Sequence, residues 1–165
     1  MADIIRLGPQ KVQEQEKTII GAYPNTYTFT KSLTEKMIKK LRGNLPVVIV
    51  RPSIIQGNYE DPFMGWTDTI AASGFQMMMG ALGILHFIHM QPDTVLDCIP
   101  CDFVCNQILV QTVFTAREQV PSLNVVHATT SSQNPLKLKK ILDFVIEYDS
   151  KYPFYMKGPD KKVWV

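Results

Sequence analysis

Two short runs constrain what this chain can fold into. "PVVIV" at residues 46–50 and "LNVVHAT" at residues 123–129 are apolar and rich in β-branched side chains. A strand with one wet face alternates apolar and polar residues. A strand covered on both faces reads as a continuous apolar run, as in a parallel sheet with helices on each side. Helical patterns separate the two runs, and the predicted order is helix, strand, helix, helix, strand, helix. That order is an α/β layered fold. Two parallel strands cannot sustain a sheet with its own core. The sheet is therefore expected to be incomplete on its own, with further strands supplied by something else.

The first helix follows Pro24, with Asn25 or Thr26 as its cap. Tyr27, Leu33, Met37, Ile38 and Leu41 give its apolar stripe, and Gly43-Asn44 ends it. Residues 51–66, "RPSIIQGNYEDPFMGW", read as loop because prolines and glycines interrupt every pattern. Helices are predicted over 67–85 and 102–117, with Asp102 at the start of the second, where the helix dipole favours a carboxylate. Asn134 followed by Pro135 predicts a cap and first turn for the last helix. Residues 1–22 are polar and unpatterned and are expected to form an arm or linker, leaving residues 23–165 as one partial domain.

Charge excludes one class of partner. Seventeen basic residues against 15 acidic ones leave a net charge of +2, no electrostatic footprint for nucleic acid. Lys36, Lys39, Lys40 and Arg42 read as the solvated face of a helix. The longest apolar stretch, "FQMMMGALGILHFIHM" at 75–90, is shorter than the roughly 20 residues that span a bilayer, and reads as a buried or interfacial helix. Cys98, Cys101 and Cys105 are too few and too close for a disulfide framework. A structural zinc site needs a fourth ligand that the neighbouring sequence does not offer, so no metal is expected. The three are read as small apolar residues around a helix start, in a reducing compartment. With no signal or transit pattern at the N-terminus, the expectation is an intracellular protein of undetermined organelle.

The candidate chemistry lies in "YPNTYTFTKSLTEKMI", residues 23–38. Tyr27 and Lys31 are four apart, so a helix puts them on one face. An ammonium beside a phenol favours the phenolate. Such a phenol can hand a proton to a carbonyl oxygen as hydride arrives at carbon. Tyr-x-x-x-Lys alone is a weak signal, equally read as a surface lysine over a half-buried tyrosine. Its setting strengthens it. The helix feeds a buried strand whose carboxyl end is "RPSII", and ligands bind at the carboxyl ends of strands in such sheets.

"PNTYTFTKSLTEKMI" and "LPVVIVRPSIIQGNYEDPFMGWTDTIAASG" closely resemble the alcohol-forming fatty acyl-CoA reductases, members of the extended short-chain dehydrogenase/reductase superfamily. The likeness runs on through "DTVLDCIPCDFVCNQIL" and "NVVHATTSSQNPLKLKKILDFV" and covers roughly residues 20 to 165. The resemblance implies the C-terminal half of a doubly wound Rossmann-type parallel sheet. It implies NADPH-dependent reduction of a long-chain acyl-CoA, through an aldehyde, to a fatty alcohol. Tyr27 would be the proton donor, with Lys31 its partner and a ribose ligand. Pro52, Ser53, Ile54 and Ile55 would line the nicotinamide. Gly65 and Trp66 fall on the substrate side with no role assigned residue by residue, and the stretch 75–90 would suit an acyl chain and lie near lipid.

The family's glycine-rich turn does not occur in these 165 residues; Gly74, Gly80 and Gly83 lie in an apolar stretch in the wrong half. Nor does the family's catalytic serine or threonine. The expectation is a chain that needs a second one to complete the sheet and the cofactor site, and that is inactive alone. The alternative is a non-catalytic accessory subunit of a larger complex, derived from such a reductase.

Overall fold

The computed structural model describes residues 2–70, 72–85, 89, 91–118 and 123–152. These fall into two compact units. One comprises residues 2–47 with Leu123, the other the remaining described residues. The tail from 153 and part of the stretch 75–90 lie outside the described residues.

In the first unit, α1 (Ala2–Glu14) is interrupted at Gly8, whose φ of +76° breaks the helix just ahead of Pro9. A short helix, α2 (Glu16–Ile20), follows. The polar residues 1–22 thus carry helix. Next comes α3 (Thr26–Leu41), begun by Asn25, whose Oδ1 accepts the Thr28 N–H at 2.9 Å. It stops where Gly43 turns to φ +56°. The expected stripe is only partly covered within this fold. Leu33, Met37 and Ile38 are half-buried, while Tyr27 and Leu41 are exposed.

The second unit holds four short strands in two parallel ladders. β1 (Val48–Pro52) pairs with β4 (Asn124–Ala128), from Val48 opposite Asn124 to Pro52 opposite Ala128. β2 (Ile54–Gln56) pairs with β3 (Cys98–Pro100). Helix α4 (Ala72–Ala81) leads from β2 towards β3, and α5 (Cys101–Glu118) runs from β3 towards β4 and packs on the strands. These are the crossovers that parallel pairing requires. The fold is α/β, with short parallel strands in open sheets, as a partial Rossmann-type domain would have. The core is small: Ile99, Val104 and Ala128 are buried, with Val50 packed against them.

Several details depart from the sequence reading. The two predicted strands form, but neither is buried on both faces: β1 is half-buried to exposed, and in β4 only Ala128 is buried. Two-stranded ladders leave strand edges and faces uncovered. β2 falls in the run read as loop, and β2 and β3 are three residues each, too short to carry a pattern of their own. Helix α4 is shorter than the expected 67–85. The Thr67 hydroxyl donates to the Thr69 carbonyl, a local bond that competes with helix, and Gly83 at φ +66° ends the other side. The last helix, α6 (Leu138–Lys151), is not capped by Asn134. Its first amides, Leu138 and Lys139, donate instead to the carbonyls of Thr94 and Pro92. Among the described residues no helix is long and apolar enough to cross a membrane.

Candidate functional site

Helix α3 brings Tyr27 and Lys31 together as their spacing requires. The Lys31 ammonium stands 5.5 Å from the centroid of the Tyr27 ring. Tyr27 is 67% exposed, so its phenol is open to an incoming group. A second tyrosine–lysine contact in the same unit was not foreseen. The Tyr23 hydroxyl lies 2.6 Å from the Ser32 hydroxyl and accepts from the Lys36 ammonium at 3.1 Å. The Ser32 hydrogen bond, and then Lys36, hold the Tyr23 phenol below its ordinary pKa. The available signal was the four-residue spacing of Ser32 and Lys36, which places both on one face of the helix.

In the second unit, Pro52, Ser53, Ile54 and Ile55 mark the point where the chain leaves one ladder and enters the other. The Ser53 amide still donates to the Ala128 carbonyl, whereas the Ile54 amide donates to the Asp97 carbonyl. Pro52, Ile54 and Ile55 are exposed and make an apolar ledge at the carboxyl end of β1. Behind it, the hydroxyls of Ser53 and Ser131 are buried and make no hydrogen bond of normal geometry. Both still lower the pKa of the nearby Asp97 carboxyl. The main cause of that lowering is the Thr130 N–H, which donates to Asp97 at 3.2 Å, against the opposing effect of burial.

Beyond the ledge the loop 57–70 folds back on itself. Asn58 donates to the Trp66 carbonyl and Gly65 to the Asn58 carbonyl, at 2.9 and 2.8 Å. Asn58 is buried, and its side-chain amide donates to the Asp61 carbonyl. Asp102, in the first turn of α5, accepts from the backbone amides of Tyr59 and Glu60 at 3.0 and 2.9 Å, and from Asp61 at 3.3 Å. Burial pushes this carboxyl up, but these donors and the Phe103 amide outweigh it and hold it below the carboxylate range. The residue expected to serve the helix dipole also ties down a loop more than forty residues away. Cys101 and Cys98 are half-buried and burial raises both thiols, which disfavours the nucleophilic thiolate; Cys105 is exposed.

The NAD-binding family model described as male sterility protein matches residues 4–108. The chain is 35% identical over 143 residues to fatty acyl-CoA reductase 2 of Bos taurus, covering 87% of this chain and 28% of that protein. It is also 35% identical to fatty acyl-CoA reductase 2 of Mus musculus, with the same coverage of 87% and 28%. To the alcohol-forming fatty acyl-CoA reductase of Simmondsia chinensis it is 31% identical over 139 residues, 84% of this chain and 28% of that one. The chain thus spans little more than a quarter of the length of these curated relatives.

Proposed function

The chain belongs to the male sterility protein family, that of the fatty acyl-CoA reductases, and from that premise we propose that it forms the proton-donating side of an NADPH-dependent acyl-CoA reductase completed by a second chain. The observation that carries this reading is the Tyr27–Lys31 contact on α3. Tyr27 donates its proton to the carbonyl oxygen of the bound acyl group as that carbon is reduced. Lys31 favours the phenolate that remains and holds the cofactor ribose. Pro52, Ser53, Ile54 and Ile55 form one wall for the nicotinamide, with the exposed apolar ledge as its surface. A bound NADPH supplies the hydride. Two such hydrides, each matched by a proton, would take a thioester first to an aldehyde, with cleavage of the C–S bond and release of the CoA thiol, and then to a fatty alcohol.

The pyrophosphate of such a cofactor needs backbone amides at a helix start, which a glycine-rich turn provides. That turn is not among these 165 residues. In a working reductase it comes from outside these 165 residues, and with it the hydroxyl group that orients the carbonyl and the strands that extend the open ladders. The chain alone therefore holds NADPH weakly; saturable binding at micromolar NADPH in equilibrium dialysis would refute this.

The test of the whole reading is the native assembly isolated from its source, with its mass measured and its chains identified. A co-purifying polypeptide that carries a glycine-rich turn, together with acyl-CoA-dependent NADPH oxidation, is the expected result. A large assembly with neither would replace this reading with that of a non-catalytic accessory subunit.

A further inference from the structure

A cavity of about 520 Å³ opens in the second unit between the loop 57–70 and α4. That is within the roughly 300–1,000 Å³ of small-molecule sites. Its apolar lining comes chiefly from Ile55, Trp66, Ile70 and Met78, and Asp68 is the one charged side chain among the described residues that line it. Gly65 and Gly74 leave its walls free of further bulk. None of the described residues that line it is basic. A phosphate or carboxylate would find no cationic partner there, so the cavity suits an uncharged apolar ligand.

Two features make it a built site rather than a surface dent. The loop wall is fixed by Asp102, which takes three amides from residues 59–61, and by the paired backbones of Asn58, Gly65 and Trp66. The cavity is also continuous with the ledge. Ile55 belongs to the segment that follows β1 and lines the cavity as well. Three large apolar side chains, Ile55, Trp66 and Ile70, stand 40–57% exposed around one space. Their exposure costs free energy that a buried hydrocarbon would recover.

We propose that this cavity holds the acyl chain of a fatty acyl thioester, and that Met78 on α4 sets how far the chain can run. The proposal rests on the reductase reading and adds to it a subsite and a specificity-determining residue. The thioester end lies by Ile55, and the phosphates of the coenzyme remain outside. Met78 is half-buried on the helical wall facing the loop, and its unbranched side chain adapts to the length it meets.

The experiment is calorimetric titration of the 165-residue chain with hexadecanoyl-CoA, dodecanoyl-CoA and free CoA, below micelle-forming concentrations. Hexadecanoyl-CoA is expected to bind tightest and free CoA weakest. Met78→Trp displaces about two buried methylenes of the longer chain, which weakens hexadecanoyl-CoA on the order of tenfold. Dodecanoyl-CoA should stay within about twofold of the parent, a difference that a general loss of folding would not produce. Met78→Ala, which enlarges the cavity, should leave both at least as tight. Equal loss for both chain lengths, no loss for either, or free CoA binding as well as the acyl forms would overturn the assignment. No turnover enters this readout. Length-dependent binding without NADPH oxidation by the completed assembly would refute the reductase and keep the cavity; oxidation with binding indifferent to Met78 would do the reverse.

Discussion

Replacing Gly57 with alanine tests how rigid the loop wall is. A Cβ at this position would sit 3.0 Å from the Gly65 carbonyl oxygen, 3.3 Å from its carbon and 3.3 Å from the Trp66 oxygen. All three atoms are backbone, so no side-chain rotation relieves the contact. The facing backbone of Gly65 and Trp66 could retreat only by stretching the Asn58–Trp66 and Gly65–Asn58 hydrogen bonds, now 2.9 and 2.8 Å. Overpacking of this kind costs about 1–3 kcal/mol. Taking about 2 kcal/mol as the local cost, the opening equilibrium of the loop rises roughly 30-fold. Amide hydrogen exchange reads this directly: the Asn58 and Gly65 amides of Gly57→Ala should exchange roughly 30-fold faster, while amides of α3 in the other unit stay unchanged. Exchange within about twofold of the parent would mean that the loop yields freely, and would refute the claim that its geometry is fixed.

Asp102→Asn removes the carboxylate that gathers three loop amides, and the emission of Trp66 should shift to the red as the loop loosens. The carboxyl is depressed in the fold, so the stability it contributes is full above its ordinary unfolded value near 4 and is lost as pH falls through the folded value. Trp66 emission should therefore be flat above about pH 5 in the parent and change only in stronger acid; a transition near neutral pH would contradict this. Ile99 is 4% exposed and belongs to the buried cluster with Val104 and Ala128, and Ile99→Ala should cost about 2–5 kcal/mol in urea unfolding. A loss well under about 1 kcal/mol would show that the core is not where the second unit's stability lies.

The α/β class and both longer strands were legible because β-branched runs between helical patterns leave few other folds. The Tyr27–Lys31 contact was legible because a helix dictates which residues share a face, and a cap at Asn25 or Thr26 because such side chains act on the next turn; the structure uses Asn25. What could not be read depends on distant pairing. β2 and β3 exist because Ile54 donates to Asp97 and their six residues find each other across more than forty positions. The same holds for Asp102, whose place at a helix start was evident while its hold on residues 59–61 was not. Asn134-Pro135 carries a good capping signal, yet α6 starts later because the carbonyls of Pro92 and Thr94 satisfy its first amides. Met78 had no individual signal among its methionine neighbours; its place on a cavity wall emerges only once the loop has folded over α4.

The most direct test of the account is acyl-CoA-dependent NADPH oxidation by the native assembly carrying Tyr27→Phe. Phenylalanine keeps the ring that Lys31 overlies and removes only the donated proton. General acid catalysis contributes about 10²–10⁴-fold, so the rate should fall by that factor while the apparent affinity for acyl-CoA stays close to the parent's. An assembly whose rate is unchanged by Tyr27→Phe would contradict the assignment of Tyr27 as the proton donor.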